Sequence, residues 1–273
     1  MPTKEELLKE FEDDCRLRGM TSESIRRYSS CIGIYYNFLD DEGYELLELN
    51  KSLLRDFTKY LREDRGLKKK TIENYFAAIN ALYDYLQYEE MIDNNPIIPF
   101  RKRYLNSYKE EQIERQVPEI GEMSRFINSI PKLRDKAIVA LFAKTGIRRG
   151  ELISIDVDDI DWKEYSIELK KKAKRSNRIV FFDHETARIL KRWLNVREGW
   201  NPKTDALFIG EHGDRLHRHG VYEAVTKWAE QVGLHNPDSD TLKDSFSPHC
   251  LRHWFTTWMR RNGMEREFIQ ELR

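Results

Sequence analysis

Three side chains in two distant segments have the types and spacing to grip a phosphodiester. Arg148 lies in Lys144-Thr145-Gly146-Ile147-Arg148-Arg149-Gly150-Glu151-Leu152, and His249 and Arg252 lie far downstream in His249-Cys250-Leu251-Arg252-His253. A guanidinium is a rigid fork of donors that matches phosphate oxygens in pairs. Gly146 lets the backbone turn sharply, so Arg148 is expected at the start of the following helix. Ser247-Pro248 opens another helix, with Ser at the N-cap and Pro in the first turn. His249 and Arg252 are three apart and share a face of that turn, where helix N-termini favour anions. Leu251, Phe255, Trp258 and Met259 form the expected core-facing stripe. Either segment alone reads as a surface arginine or an ordinary histidine. Together they point to an anion site, with Glu151 in a structural role.

These residues need a scaffold, and the hydrophobic pattern supplies one. The first half shows helical periodicity. Leu7, Leu8, Phe11 and Cys15 stripe one helix, and Ile25, Tyr28, Ile32, Tyr35, Tyr36 and Leu39 a second. Leu53, Leu54, Phe57, Tyr60 and Leu61 mark a third, and Ile72, Tyr75, Ile79, Leu82, Tyr83 and Leu86 a fourth, closed by Asn95-Pro96. Gly19, Ile25, Tyr28, Ile32, Tyr36 and Leu39 recur 47 residues later as Gly66, Ile72, Tyr75, Ile79, Tyr83 and Leu86. Two similar helix pairs would stack into a compact bundle. In the second half, helices are expected over Leu133 to Lys144 and near 184–197, 218–232 and 248–262. Tyr165 to Leu169 and Arg178 to Phe182 read as a β-hairpin around the turn Lys170-Lys171-Lys172-Ala173-Lys174-Arg175-Ser176-Asn177. That turn is a solvated charge run that can also meet a DNA backbone.

Composition sets the outer bounds. With 273 residues, 40% hydrophobic and 12% aromatic, the chain can bury a real core. No apolar run reaches the roughly 18 residues of a membrane span. Cys15, Cys31 and Cys250 are too few and too far apart for a disulfide framework or a zinc site, which fits a reducing, cytoplasmic setting. The formal net charge is zero, but the first hundred residues are acidic on balance and the remainder basic. Placement rather than total decides nucleic-acid binding.

The Thr145-Gly146-x-Arg148-x-x-Glu151-Leu152 and His249-x-x-Arg252 segments resemble the two arginine boxes of the tyrosine recombinase (phage integrase) family. The helical half resembles that family's core-binding domain in its Thr-x-x-x-Tyr spacing and closing Asn95-Pro96. The resemblance implies a mainly α fold with a small β-sheet: an N-terminal helical core-binding (SAM-like) bundle over 1–96, a linker over 97–116, and an α+β catalytic domain over 117–273. It implies Arg148, Lys172, His249 and Arg252 as catalytic residues, with Lys172 the preferred lysine of the hairpin turn. The family's lysine usually stands five residues before the arginine opening the next strand. Here that position is Ala173, so Lys174 stays open beside Lys172. Contacts to DNA are expected from Thr21, Ser22, Lys68, Lys69, Lys70, Thr71, Arg101, Arg103 and Lys174. Ser22 or Thr71 would also cap the helix that follows.

The implied activity is site-specific recombination or integration of double-stranded DNA. Strands are cut and rejoined through a 3′-phosphotyrosyl link, without cofactor or metal, by a protein that works on DNA as a tetramer and sits with the nucleoid. The family's nucleophilic tyrosine follows the second box, and no tyrosine follows Tyr222 here. The expectation is therefore a chain cut short before the nucleophile, which binds DNA without cleaving it. A natural non-catalytic relative that occupies recombination sites is the alternative, and a helical interaction protein with coincidental motifs is a third.

Overall fold

A computed structural model describes residues 3–47, 50–105, 116–170, 178–239 and 241–272. The chain forms two compact units, Met1–Gln112 and Ile113–Arg273.

The first unit is helical: α1 (Lys4–Leu17), α2 (Ser22–Glu42), α3 (Lys51–Lys59, extended by a π-turn, Tyr60–Asp64), α4 (Lys69–Tyr88) and α5 (Ile97–Tyr104). Local chemistry starts and stops these helices. Thr3 and Glu6 form a reciprocal capping box at α1. The Asn50 side chain accepts the Leu53 N–H, 2.9 Å, at α3. Gly43 ends α2 in the left-handed region. The internal repeat is real in three dimensions. Ile25, Ile32, Tyr36 and Leu39 of α2, and their counterparts Ile72, Ile79, Tyr83 and Leu86 of α4, are all buried. Gly19 and Gly66, just ahead of the two repeated helices, both carry positive φ, 74° and 60°. Within the core the Tyr35 and Tyr83 hydroxyls meet at 3.0 Å, and Tyr83 donates to the Leu46 carbonyl at 2.7 Å.

Two local expectations change. The cap of α2 is Thr21, not Ser22: its hydroxyl accepts the Ser24 N–H at 3.3 Å. Lys68, not Thr71, occupies the N-cap of α4 and makes no side-chain cap bond there. In the segment read as a linker, Ile97–Tyr104 is a helix that buries Ile97 and Phe100 in the first core, Phe100 stacking on Phe76 with ring centres 5.4 Å apart. Pro96 supplies its N-cap, where a fixed φ suits a helix start. The expected closure of α4 by Asn95-Pro96 changes, since α4 already ends at Tyr88 with Glu89 as its C-cap.

The second unit is built around α7 (Leu133–Thr145), which is buried on nearly every side from Ala137 to Ala143. A helix apolar all round belongs inside. It packs against α6 (Ile120–Ser129), α9 (His184–Glu198), α10 (Arg218–Gln231) and α11 (Pro248–Arg261). A six-residue α8 (Arg149–Ser154) follows α7 directly, and α12 (Arg266–Glu271) follows α11. The sheet is a three-stranded antiparallel meander of β1 (Ile160–Asp161), β2 (Ser166–Glu168) and β3 (Ile179–Phe181), with Ile167 opposite Val180. The expected hairpin is therefore present, and β1 adds a strand to it. Among the described residues no helix is long and apolar enough to cross a membrane.

Candidate functional site

Gly146 joins the two arginine segments. It ends α7 with φ 58°, and its amide N–H donates to the Phe142 carbonyl. A Cβ at this position would run into the Phe255 ring of α11, 2.8 Å from Cγ and closer to Cδ1. The Gly146 carbonyl accepts a hydrogen bond from the guanidinium of Arg252, which is buried on α11. One glycine thus lets α11 approach closely and binds the second arginine box to the end of the helix that precedes the first.

Arg148 is the N-cap of α8, as the turn predicted. Glu151 holds it twice, accepting the Arg148 N–H at 2.7 Å and its guanidinium at 2.9 Å. Glu151 is buried while the Arg148 side chain remains 43% exposed. The acid therefore orients the arginine from behind, which is the structural role read from the sequence. On α11, Ser247 occupies the N-cap and Pro248 the first position, but Ser247 makes no side-chain cap bond. Its hydroxyl lies 3.7 Å from the Cys250 sulfur instead. His249 is exposed, and its ring lies edge-on to His253 at 5.9 Å. Leu251 and Phe255 are buried as expected. Trp258 and Met259 are only half-buried. The Trp258 indole, together with that of Trp254, donates to the Pro118 carbonyl at 3.2 and 2.8 Å.

These residues share one groove of about 580 Å³, lined by Ile147, Arg148, Arg149, Gly150, Arg218, Tyr222, Ser247, Pro248, His249 and Arg252. Among the described residues the lining carries four arginines and a histidine and no carboxylate. Arg218 and Tyr222 were not foreseen. They come from the first turns of α10, a helix whose sequence carries no motif, so only the fold shows that it walls the groove.

The lysine turn behaves differently along its length. Lys170, its first residue, is held by Asp156 at 2.9 Å and Asp159 at 2.6 Å. Arg215 completes the cluster, binding Asp156 at 2.5 Å and the Ile153 carbonyl at 2.8 Å. The base of the hairpin is thereby tied to the segment that leaves α8. Lys172 and Lys174 lie outside the described residues. Partial burial works to raise the Asp156 carboxyl, but hydrogen bonds from Arg215 and Lys170 outweigh it and hold the group below its usual range. A depressed folded value means that the stabilisation is present above the unfolded pKa and is lost as pH falls through the folded one. Asp156→Asn is expected to cost about 1 kcal/mol at pH 7. The gap to the parent chain should narrow below about pH 4, as urea denaturation at both pH values would show. A gap that stays constant with pH would contradict this role.

The expected contacts of the first unit are spread over separate elements. Thr21, Ser22, Lys68, Lys70 and Thr71 are exposed at the starts of α2 and α4, and Lys69 is half-buried. Lys70 pairs with Glu73 at 2.9 Å. Arg103 is exposed on α5, whereas Arg101 is half-buried there. Among the described residues no group of three or more His, Cys, Asp or Glu is placed to hold a metal ion.

Comparison with known proteins agrees with this architecture. Residues 6–112 match the phage integrase SAM-like domain, and residues 111–273 match the phage integrase family. A tyrosine recombinase XerC of Herpetosiphon aurantiacus is 30% identical over 261 residues, covering 93% of this chain and 81% of the relative. The Tn1549 transposon integrase, solved in complex with circular intermediate DNA, superposes with a TM-score of 0.75 at 18% identity, over 97% of this chain and 90% of that one. A lambda integrase dimer bound to a core site superposes with a TM-score of 0.75 at 16% identity, over 99% and 94%. With both units matched in order and its two arginine boxes meeting in one groove, the chain belongs to the phage integrase family of tyrosine recombinases.

Proposed function

We propose that this protein binds duplex DNA at a recombination site and holds one phosphodiester in the groove between α8, α10 and α11 for strand cleavage and rejoining. The observation that carries the reading is the convergence of Arg148, His249 and Arg252, from segments far apart in sequence, on a groove without a carboxylate. Such a lining attracts an anion and repels little of it. The Tn1549 and lambda integrases of like fold were solved on DNA, which supports the same class of partner here.

In this reading Arg148 and Arg252 take the non-bridging oxygens and offset the charge that builds in the pentacoordinate transition state. Glu151 keeps the first guanidinium oriented, and the Gly146 carbonyl keeps the second. His249, exposed at the groove edge, bonds the same phosphate and assists proton transfer. Lys172 protonates the leaving 5′-oxygen, with Lys174 as the other choice within the turn. The attacking group of the family is a tyrosine located after the second box. The residues described here supply the grip on the phosphate rather than the nucleophile. Assembly as a tetramer on paired sites belongs to the same proposal.

The test is a titration of a fluorescent 30-base-pair duplex with the full chain, read by anisotropy from 50 to 250 mM salt. Binding is expected to weaken steeply with salt, since each neutralised phosphate contributes roughly 0.9 to the slope of log K against log salt. Arg148→Gln should weaken it further and lower that slope by about one. Binding that ignores salt, or that ignores Arg148→Gln, would remove the groove from the account.

A further inference from the structure

We propose that Arg218 is a third phosphate-binding arginine of the groove, taking a backbone phosphate beside the one held by Arg148 and Arg252. This rests on the reading of the groove as a DNA-binding site. Arg218 stands in the first turn of α10, exposed, and lines the groove with Tyr222 one helical turn further on. The two are four apart and share a face.

Charge shows which way that face looks. Among the described residues the groove carries Arg148, Arg149, Arg218, Arg252 and His249 and no acid. A second cavity of about 720 Å³ lies on the other side of Tyr222, which lines both. It holds Lys132, Arg134, Lys227 and His235, but also Asp135, Glu211, Glu223 and Glu230. The acids of α10 face that second cavity, where Glu223 lies 3.3 Å from His219. Tyr222 is the partition. Along one helix, Glu223, Lys227 and Glu230 line the mixed-charge cavity, whereas Arg218 lines the groove of the paired arginine boxes.

Anchoring separates the roles. Arg252 is buried and Arg148 is held by a buried acid, so both are fixed for one phosphate. Arg218 is exposed on the α10 side of the groove. At about 580 Å³ the groove has the size of pockets that hold whole small molecules, which leaves room for more than one phosphodiester. Successive phosphates of one strand then meet the Arg148–Arg252 pair and Arg218 in turn. Contacts of this kind set position and register without reading sequence.

The experiment uses the full chain and a mixed-sequence 30-base-pair duplex, with Arg218→Gln and Lys227→Gln compared. Lys227 is an exposed cation of the same helix that lines the mixed-charge cavity, so its loss removes the same charge from the other side. Arg218→Gln is expected to bind several-fold more weakly at 150 mM salt and to lower the slope of log K against log salt by about one. Lys227→Gln should bind within twofold of the parent. Both variants should melt as the parent does, because both side chains are exposed. Equal behaviour of the two variants would overturn the assignment. A duplex that loses affinity with Arg148→Gln but not with Arg218→Gln overturns Arg218 alone. One that responds to neither overturns the groove reading beneath it.

Discussion

Gly146→Ala should destabilise the second unit by about 3 kcal/mol, the sum of two independent penalties. The first is conformational. Gly146 has φ 58°, and an L-residue in the left-handed region loses roughly 1–2 kcal/mol. The second is steric. The added methyl would overlap the Phe255 ring, and relieving such overpacking costs about 1–3 kcal/mol. For a unit of this size that corresponds to a fall in melting temperature of roughly 6–12 °C. Gly150→Ala, four residues on, supplies the contrast. Gly150 lies within α8, its φ is not positive, and nothing stands within 4 Å of a Cβ there. The same change should stabilise by about 0.5–1 kcal/mol, because alanine has less chain entropy to lose. Opposite signs in differential scanning calorimetry would confirm that Gly146 is kept for close approach and backbone geometry. Two small shifts of like sign would refute it. Since the Gly146 carbonyl also holds Arg252, a displaced α11 should carry a loss of DNA affinity with it.

Much of this was visible in the sequence wherever one local rule acts alone. The repeated apolar stripes of α2 and α4 both point inward because a helical period allows a single buried face. Gly146 was read as a helix end because glycine tolerates left-handed backbone, and Arg148 then had to open the next helix. The lysine run was harder to read. Charge runs look alike in sequence, yet Lys170 is bound by Asp156 and Asp159, and Asp156 is shared with Arg215 from a further segment. Those partners are a tertiary fact. Arg218 and Tyr222 were missed for the same reason: α10 looks like any amphipathic helix until packing turns its first turns toward the two boxes. The segment 97–116 was misjudged in part because Pro99 and a basic triplet outweighed Ile97 and Phe100, which bury against α4. Proline near a helix start favours the helix, and position rather than composition decided that case.

Arg252 has two tasks, and different substitutions should separate them. Its guanidinium donates to the Gly146 carbonyl inside the unit, and the same side chain lines the groove of the two arginine boxes. Arg252→Met removes every donor from a buried site. The stranded carbonyl costs about 1–3 kcal/mol, or a fall of roughly 2–12 °C in melting temperature. DNA affinity should fall as well. Arg252→Lys keeps a charge and a donor but loses the fork. An ammonium is a point charge on a flexible stem and cannot hold the carbonyl and offer a second, fixed pair of donors at once. The lysine variant should therefore melt within a few degrees of the parent and still bind duplex DNA less tightly, by about tenfold, the equivalent of 1.4 kcal/mol. Parallel losses of stability and affinity in both variants would mean that Arg252 acts only by holding α11 to α7. Stability kept and affinity lost in Arg252→Lys would place the planar fork itself on the phosphate. That outcome would also explain why the residue is buried. A guanidinium anchored by a backbone carbonyl is already oriented when the phosphate arrives, so little side-chain freedom is left to lose on binding.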